Sequence, residues 1–207
     1  MAKLYYRYGT VSSAKTLNLL AVFHNYGQQN KKAILIKPQI DNRFGANVVK
    51  SRAGLHVEAD YVLKTDANFP SYAVEGVHCI LVDEVQFFAA SFIEQLRKVA
   101  TDFNIPVICY GLRTDFRTKA FEGAARLFEL ADSIEEIKTT CNFCDKKAVF
   151  NLKIMGNKPI FDGPQIELGA EEKYLPCCSK CYSDKICVVR NDIPKENEFL
   201  EFSNTLQ

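Results

Sequence analysis

The chain has 207 residues, of which 47% are hydrophobic and 25% charged, ordinary globular values with room for one good core and a small appendage. A formal net charge of +1 and a pI near 7.5 supply no global field for steering to nucleic acid or an anionic membrane surface. No apolar run reaches the length of a bilayer span and Met1-Ala2-Lys3 leads straight into a strand, so no membrane anchor or signal peptide is expected and the protein reads as cytoplasmic.

Leu4-Tyr5-Tyr6 reads as a short strand, and Leu17 to Phe23 opens a helix. Ala33-Ile34-Leu35-Ile36 is a second strand, ended by Pro38. The stretch Asp41 to Gly54 is too glycine-rich and charged for a core element. Val77 to Val82 is continuously hydrophobic, as a central parallel strand should be, and Phe88, Phe92, Leu96 and Val99 follow at helical spacing. Ile105 to Tyr110 is another buried strand, with Pro106 tolerated near its start. A helix around Phe121 to Leu130 and a strand at Ile134 to Ile137 complete the pattern. Strands separated by helices predict an α/β fold with an open, mostly parallel sheet. The pattern changes at Thr139. Residues 139–190 form a small second domain with a hairpin at Val149 to Ile154 and Pro159 to Phe161, after a first domain of 1–138. From about Asn191 to residue 207 the chain is polar and reads as a disordered or loosely attached tail.

Gly9-Thr10-Val11-Ser12-Ser13-Ala14-Lys15-Thr16 departs at one position from the phosphate-binding pattern G-x-x-x-x-G-K-[ST], with Ala14 in place of the second glycine. Each element has a mechanical task. Glycines let backbone N–H groups face a phosphate, Lys15 neutralises β/γ oxygens and the Thr16 hydroxyl holds Mg²⁺, all before a helix N-terminus. The plain alternative is a Ser/Thr-rich turn that happens to precede a lysine. If Ala14 takes a positive φ, its Cβ costs on the order of 1–2 kcal/mol, which weakens the loop without forbidding it.

Parallel sheets bind ligands at the carboxyl ends of their strands, and two further motifs land there. Asp83-Glu84 follows an apolar strand, and Gly111-Leu112-Arg113-Thr114-Asp115-Phe116-Arg117 follows another. In phosphoryl transfer the protein chiefly positions groups and offsets charge. Asp83 would support Mg²⁺, Glu84 would accept the proton, and Arg43, Arg113 or Arg117 would supply cations. Taken singly, each arginine is more simply a solvated surface charge.

Six of the eight cysteines lie between positions 141 and 187, and four form the C-x-x-C pairs Cys141/Cys144 and Cys178/Cys181. Two such knuckles complete a tetrahedral Cys₄ zinc site, structural because every ligand is protein. Cys177 competes with Cys178, though only Cys178 keeps the spacing to Cys181. Between the knuckles, residues 145–177 form either a mere connection or a lid anchored by one metal.

In this order, Gly9–Thr16, Val82 to Phe88, Gly111 to Arg117 and the cysteine pairs resemble the cellular (type II) thymidine kinases, over about residues 3 to 185. Asp41-Asn42-Arg43 is similar to the family's Asp-x-Arg, and Gly163 to Cys181 to its lasso loop and second zinc knuckle. The resemblance implies a RecA-like P-loop core with a zinc-held lasso, a homotetramer, and Mg²⁺-dependent transfer of the ATP γ-phosphate to the 5′-hydroxyl of thymidine, with deoxyuridine as a further acceptor. It implies Glu84 as general base, Arg43 and Lys15 as charge stabilisers, and Gly9, Thr10, Val11, Ser12, Ser13, Ala14, Lys15, Thr16, Asp83 and Gln86 around the nucleotide. For the nucleoside it implies Val11, Asp41, Phe87, Leu112, Phe116, Phe121, Ile166, Leu168, Gly169 and Tyr174. It implies neither a nucleic-acid nor a membrane partner. Ala14, and Ala170 where the lasso usually has a glycine, depart from the pattern. Two readings compete with it. Asp83-Glu84-Val85-Gln86 also resembles a helicase DExQ box, which suggests a zinc-ribbon nucleic-acid-binding ATPase, but one core and near-zero charge argue against it. The other is a homologue that binds nucleotide without turning it over.

Overall fold

Cys79–Val82 (β6) is buried along its whole length because its two faces feed two cores. Ile80 and Val82 pack into a large cluster with Leu4, Tyr6, Phe88, Phe92, Leu96 and Leu127. Cys79 and Leu81 pack on the opposite side with Leu19, Leu20, Leu35 and Tyr110. A strand with helices on both faces must be apolar on both, so the continuous hydrophobic run follows directly.

The computed structural model describes residues 1–156, 158–165 and 174–191. Leu4–Tyr8 (β1), Ala33–Pro38 (β2), Tyr61–Leu63 (β5), β6, Val107–Gly111 (β7) and Ser133–Glu136 (β8) form a six-stranded sheet in the order β5-β2-β6-β7-β1-β8. Every pairing in it is parallel. Lys15–Gln28 (α1) covers one face; Ala90–Asp102 (α2) and Glu122–Leu130 (α3) cover the other. The carboxyl ends of β1, β6 and β7 lie side by side, which brings the three motifs together.

The structure adds to the predicted elements at two places. The stretch from Asp41 to Gly54 is not wholly irregular: it contributes Val48–Lys50 (β3), which pairs antiparallel with His56–Glu58 (β4). Val49 is buried against the Leu19 and Leu20 side, so one apolar residue among charged neighbours anchors the hairpin. The edge strand β5 also lacked a sequence signal, being three half-buried residues.

Phe150–Met155 (β9), Lys158–Ile160 (β10) and Tyr174–Cys177 (β11) form a separate antiparallel sheet in the order β10-β9-β11. The expected hairpin is thus two of its three strands, and much of the span between the knuckles is sheet. Ser179–Asn191 (α4) follows. This unit has its own small core of Cys141, Leu152, Cys177, Cys178 and Tyr182. The tail beyond Asn191 lies outside the described residues.

Candidate functional site

The first glycine of the phosphate loop is fixed by sterics. A Cβ on Gly9 would stand 2.3 Å from Ser13 Oγ and 2.5 Å from the Ile137 carbonyl oxygen. Ala14 has φ 63° and ψ 25°, the left-handed conformation in which glycine is at ease and alanine is strained. Helix α1 starts at the next residue, so its unpaired N–H groups open onto the loop. Lys15 is buried and its Nζ donates to the Thr10 carbonyl at 2.7 Å, spanning the loop. Burial lowers the Lys15 pKa; Glu84 and Asp83 oppose that shift, while Arg43 and Arg52 add to it. Two buried hydroxyls, Thr10 Oγ1 and Ser13 Oγ, have no partner among the described residues. The donor-rich loop, the helix terminus and the lysine fit a polyphosphate.

Thr16 Oγ1 lies 3.2 and 3.4 Å from the carboxylate oxygens of Asp83, so a hydroxyl and an acid meet where a divalent cation would sit beside the loop. The acid pair is held apart electrostatically. Burial, then the like charges of Glu84 and Asp41, push Asp83 up to about 7. Burial would also raise Glu84, but Arg43 and Lys15, helped by hydrogen bonds from Gln86 and Arg43, outweigh it and hold Glu84 well below the usual carboxylate range. Two neighbouring carboxyls pushed in opposite directions mark Glu84 as the ionised member.

Glu84 is positioned on both oxygens. Arg43 Nη2 donates to Oε1 at 2.6 Å, and Gln86 Nε2 donates to Oε2 at 2.6 Å. Its backbone is left-handed, with φ 47° and ψ 40°, a strained corner that turns the side chain out of the strand end. Asp41 accepts from Arg43 Nε at 2.6 Å, so Asp41 aims Arg43 and Arg43 aims Glu84. Gln86 Oε1 in turn accepts the Leu112 N–H at 3.0 Å. That approach requires Gly111, where a Cβ would lie 2.5 Å from Gln86 Oε1.

The cleft between these groups has a volume of about 350 Å³, within the usual range for small-molecule sites. Its walls include Val11, Ser12, Ser13, Ala14, Lys15, Thr16, Asp41, Arg43, Asp83, Glu84 and Gln86. It is also lined by Phe87, Leu112, Phe116, Phe121 and Tyr174. Phe87 and Phe121 meet edge to face with centroids 5.9 Å apart, and Phe116 and Tyr174 lie 6.3 Å apart. An aromatic lining suits a flat heterocycle. Ile166, Leu168, Gly169 and Ala170 lie outside the described residues. Phe88 is core and not part of this lining: it is 1% exposed and stacks on Phe92 at 4.3 Å.

The three candidate arginines separate. Arg43 faces the acids, Arg113 Nη2 donates to the Val149 carbonyl at 3.1 Å, and Arg117 pairs with the buried Asp115 at 3.2 Å. Residues that sequence reasoning missed also line the cleft, among them Arg52 and Asn151. Asn151, on β9, accepts the Val11 N–H at 2.9 Å and donates to the Thr114 carbonyl at 3.1 Å, tying the small sheet to the phosphate loop. In sequence Asn151 is only an alternating residue in a strand.

The four sulfurs of Cys141, Cys144, Cys178 and Cys181 all lie within 4.8 Å of one another, with Cys144 to Cys178 at 3.6 Å and Cys144 to Cys181 at 3.7 Å. A tetrahedron with Zn–S near 2.3 Å has S···S edges of roughly 3.8 Å, so the set fits zinc. The Phe143 and Cys181 N–H groups each donate to a knuckle sulfur at 3.4 Å, as thiolate ligands require. Cys177 is buried beside this cluster and is not one of its four ligands.

The thymidine kinase family model matches residues 2–182. The chain belongs to the thymidine kinase family. A thymidine kinase of Streptococcus pyogenes serotype M3 is 41% identical over 185 residues, 88% of this chain and 97% of that protein. One from Streptococcus gordonii is 41% identical over 185 residues, 88% and 96% of the two chains. Among solved structures, a Bacteroides Pif1 bound to single-stranded DNA overlaps with a TM-score of 0.39 at 15% identity, over 65% of this chain and 38% of that one. The thymidine kinase match spans the phosphate loop, the acid pair, the aromatic walls and all four cysteines.

Proposed function

We propose that this chain transfers the γ-phosphate of ATP to the 5′-hydroxyl of thymidine. The observation that carries the reading is one cleft lined by the phosphate loop, by Glu84 and by a set of aromatic side chains. Mg²⁺ held by Thr16 and Asp83 would neutralise charge on the transferring phosphates. Lys15 and the loop N–H groups bind those phosphates, while Phe87, Leu112, Phe116, Phe121 and Tyr174 hold the base so that the 5′-hydroxyl faces Glu84. Glu84 accepts the hydroxyl proton at its carboxylate. A weakly basic carboxylate suffices because phosphoryl transfer passes through a loose transition state that asks little prior deprotonation of the nucleophile. Arg43 keeps Glu84 ionised and offsets charge at the reacting oxygens. Gln86 acts through Glu84 as a positioning residue. Zinc on the four cysteines would cross-link the small sheet that carries Asn151 and Tyr174.

The same reading divides the chain into a nucleotide-binding domain over 1–138, a zinc and lasso domain over 139–190 and a tail over 191–207, assembled as a cytoplasmic homotetramer. Ile166, Leu168 and Gly169 belong to its nucleoside side. The test is transfer of labelled γ-phosphate from Mg·ATP to thymidine. Labelled thymidine monophosphate with stoichiometric ADP is the expected result. ATP hydrolysis stimulated by DNA with no labelled nucleotide would overturn it, as would tight ATP binding without transfer.

A further inference from the structure

Lys37 is a lysine sealed in the interior at the carboxyl end of β2, with 1% of its surface exposed. β2 runs parallel to β6 with Ile36 beside Val82, and the Asp83 N–H donates to the Ile36 carbonyl at 2.9 Å. Lys37 therefore leaves its strand level with the acid pair. Its Nζ donates to the Val48 carbonyl at 2.8 Å and to the Gly45 carbonyl at 3.4 Å, at the root of the β3–β4 hairpin. It also faces Asp41 Oδ2 at 3.8 Å. Burial lowers the Lys37 pKa; Asp41 first, then Asp83 and Glu84, oppose that shift, while Arg43 adds to it. The two carbonyls need only a donor, whereas a buried ammonium needs a carboxylate, and Asp41 supplies it.

The contact divides the Asp41 carboxylate. Oδ2 faces Lys37, while Oδ1 accepts from Arg43 Nε at 2.6 Å. Arginine Nε and the neighbouring Nη2 are donors that a carboxylate takes side-on when both its oxygens are available. Here Nη2 goes instead to Glu84 Oε1, also at 2.6 Å. A cation on Oδ2 keeps Asp41 from drawing both donors, so the Arg43 fork spans two acids.

Resting on the proposed kinase function, we propose that Lys37 is a positioning residue for phosphoryl transfer, which holds Asp41 so that Arg43 stays on Glu84. Lys37 lies outside the cleft lining and acts through these two side chains.

The experiment compares the full chain with Lys37→Met, which keeps the length and loses the charge, in steady-state thymidine phosphorylation and in crystals. kcat should fall on the order of tenfold to a hundredfold, while KM for ATP and for thymidine stays within about threefold. In an Asp41→Asn background, Lys37→Met should cost less than about twofold more, because its target is already neutral. Lys37→Gln, which keeps a donor but no charge, should lose kcat to the same order, and it replaces Lys37→Met if that variant does not fold. Unchanged kcat, with or without a higher KM for ATP, would assign Lys37 to the hairpin root alone and overturn the proposal. Full additivity with Asp41→Asn would overturn it as well. In the crystal structure of Lys37→Met, Arg43 Nη2 should have withdrawn from Glu84 onto Asp41; an intact Arg43–Glu84 pair would count against the proposal. If the unsubstituted protein transfers no phosphate, the kinase reading fails by itself, and the position of Arg43 still decides what Lys37 holds.

Discussion

Replacing Ala14 by glycine tests how much strain the phosphate loop stores. Ala14 is left-handed at φ 63°, and that conformation costs a residue with a Cβ about 1–2 kcal/mol. Glycine removes the penalty but gives the unfolded chain more freedom, which returns about 0.4–1 kcal/mol. The net expectation for Ala14→Gly is a stabilisation of about 0.5–1 kcal/mol. For a domain of this size that raises the thermal midpoint by roughly 1–4 °C. A turn that is left-handed with and without nucleotide leaves KM for ATP within about threefold. Calorimetric melting of both proteins without nucleotide, and initial rates across ATP concentrations, measure the two quantities. An unchanged or lower midpoint together with a tenfold or greater gain in ATP affinity, equivalent to about 1.4 kcal/mol, would refute the reasoning. It would mean that the left-handed turn forms only around the phosphate.

Three further outcomes follow from the site. Glu84→Gln keeps the shape but removes the proton acceptor, so kcat should fall about 10²–10⁴-fold, and a loss under tenfold in rapid-quench turnover would remove Glu84 from the base role. Asn151→Ala leaves the Val11 N–H and the Thr114 carbonyl without their buried partner and should destabilise by about 1–3 kcal/mol in urea melts, whereas an unchanged midpoint would show that the tie is dispensable. Metal analysis should find one zinc per chain for the one Cys₄ cluster, and chelation should unfold the small sheet while the parallel sheet keeps its far-ultraviolet signal; full activity after complete zinc removal would refute the structural role.

The amino-acid sequence by itself determined what is local. The run from Cys79 to Val82 announced a doubly covered strand because every residue in it must be apolar. The octet Gly9 to Thr16, the acid pair and the cysteine knuckles were legible because their chemistry depends on spacing within a few residues. Tertiary structure decided what depends on approach between distant segments. The octet raises a positive φ at Ala14, the place of its second glycine, and the folded loop between β1 and α1 adopts it. Arg43 and Arg113 look equivalent as charges, and only their distant partners, Glu84 and the Val149 carbonyl, separate them, whereas Asp115 holds Arg117 from two residues away. Asn151 and Arg52 reach the phosphate loop from segments 140 and 40 residues away in sequence, through single hydrogen bonds that leave no periodic signal. A motif can be read where backbone geometry carries it, but a contact between elements exists only once packing has brought them together.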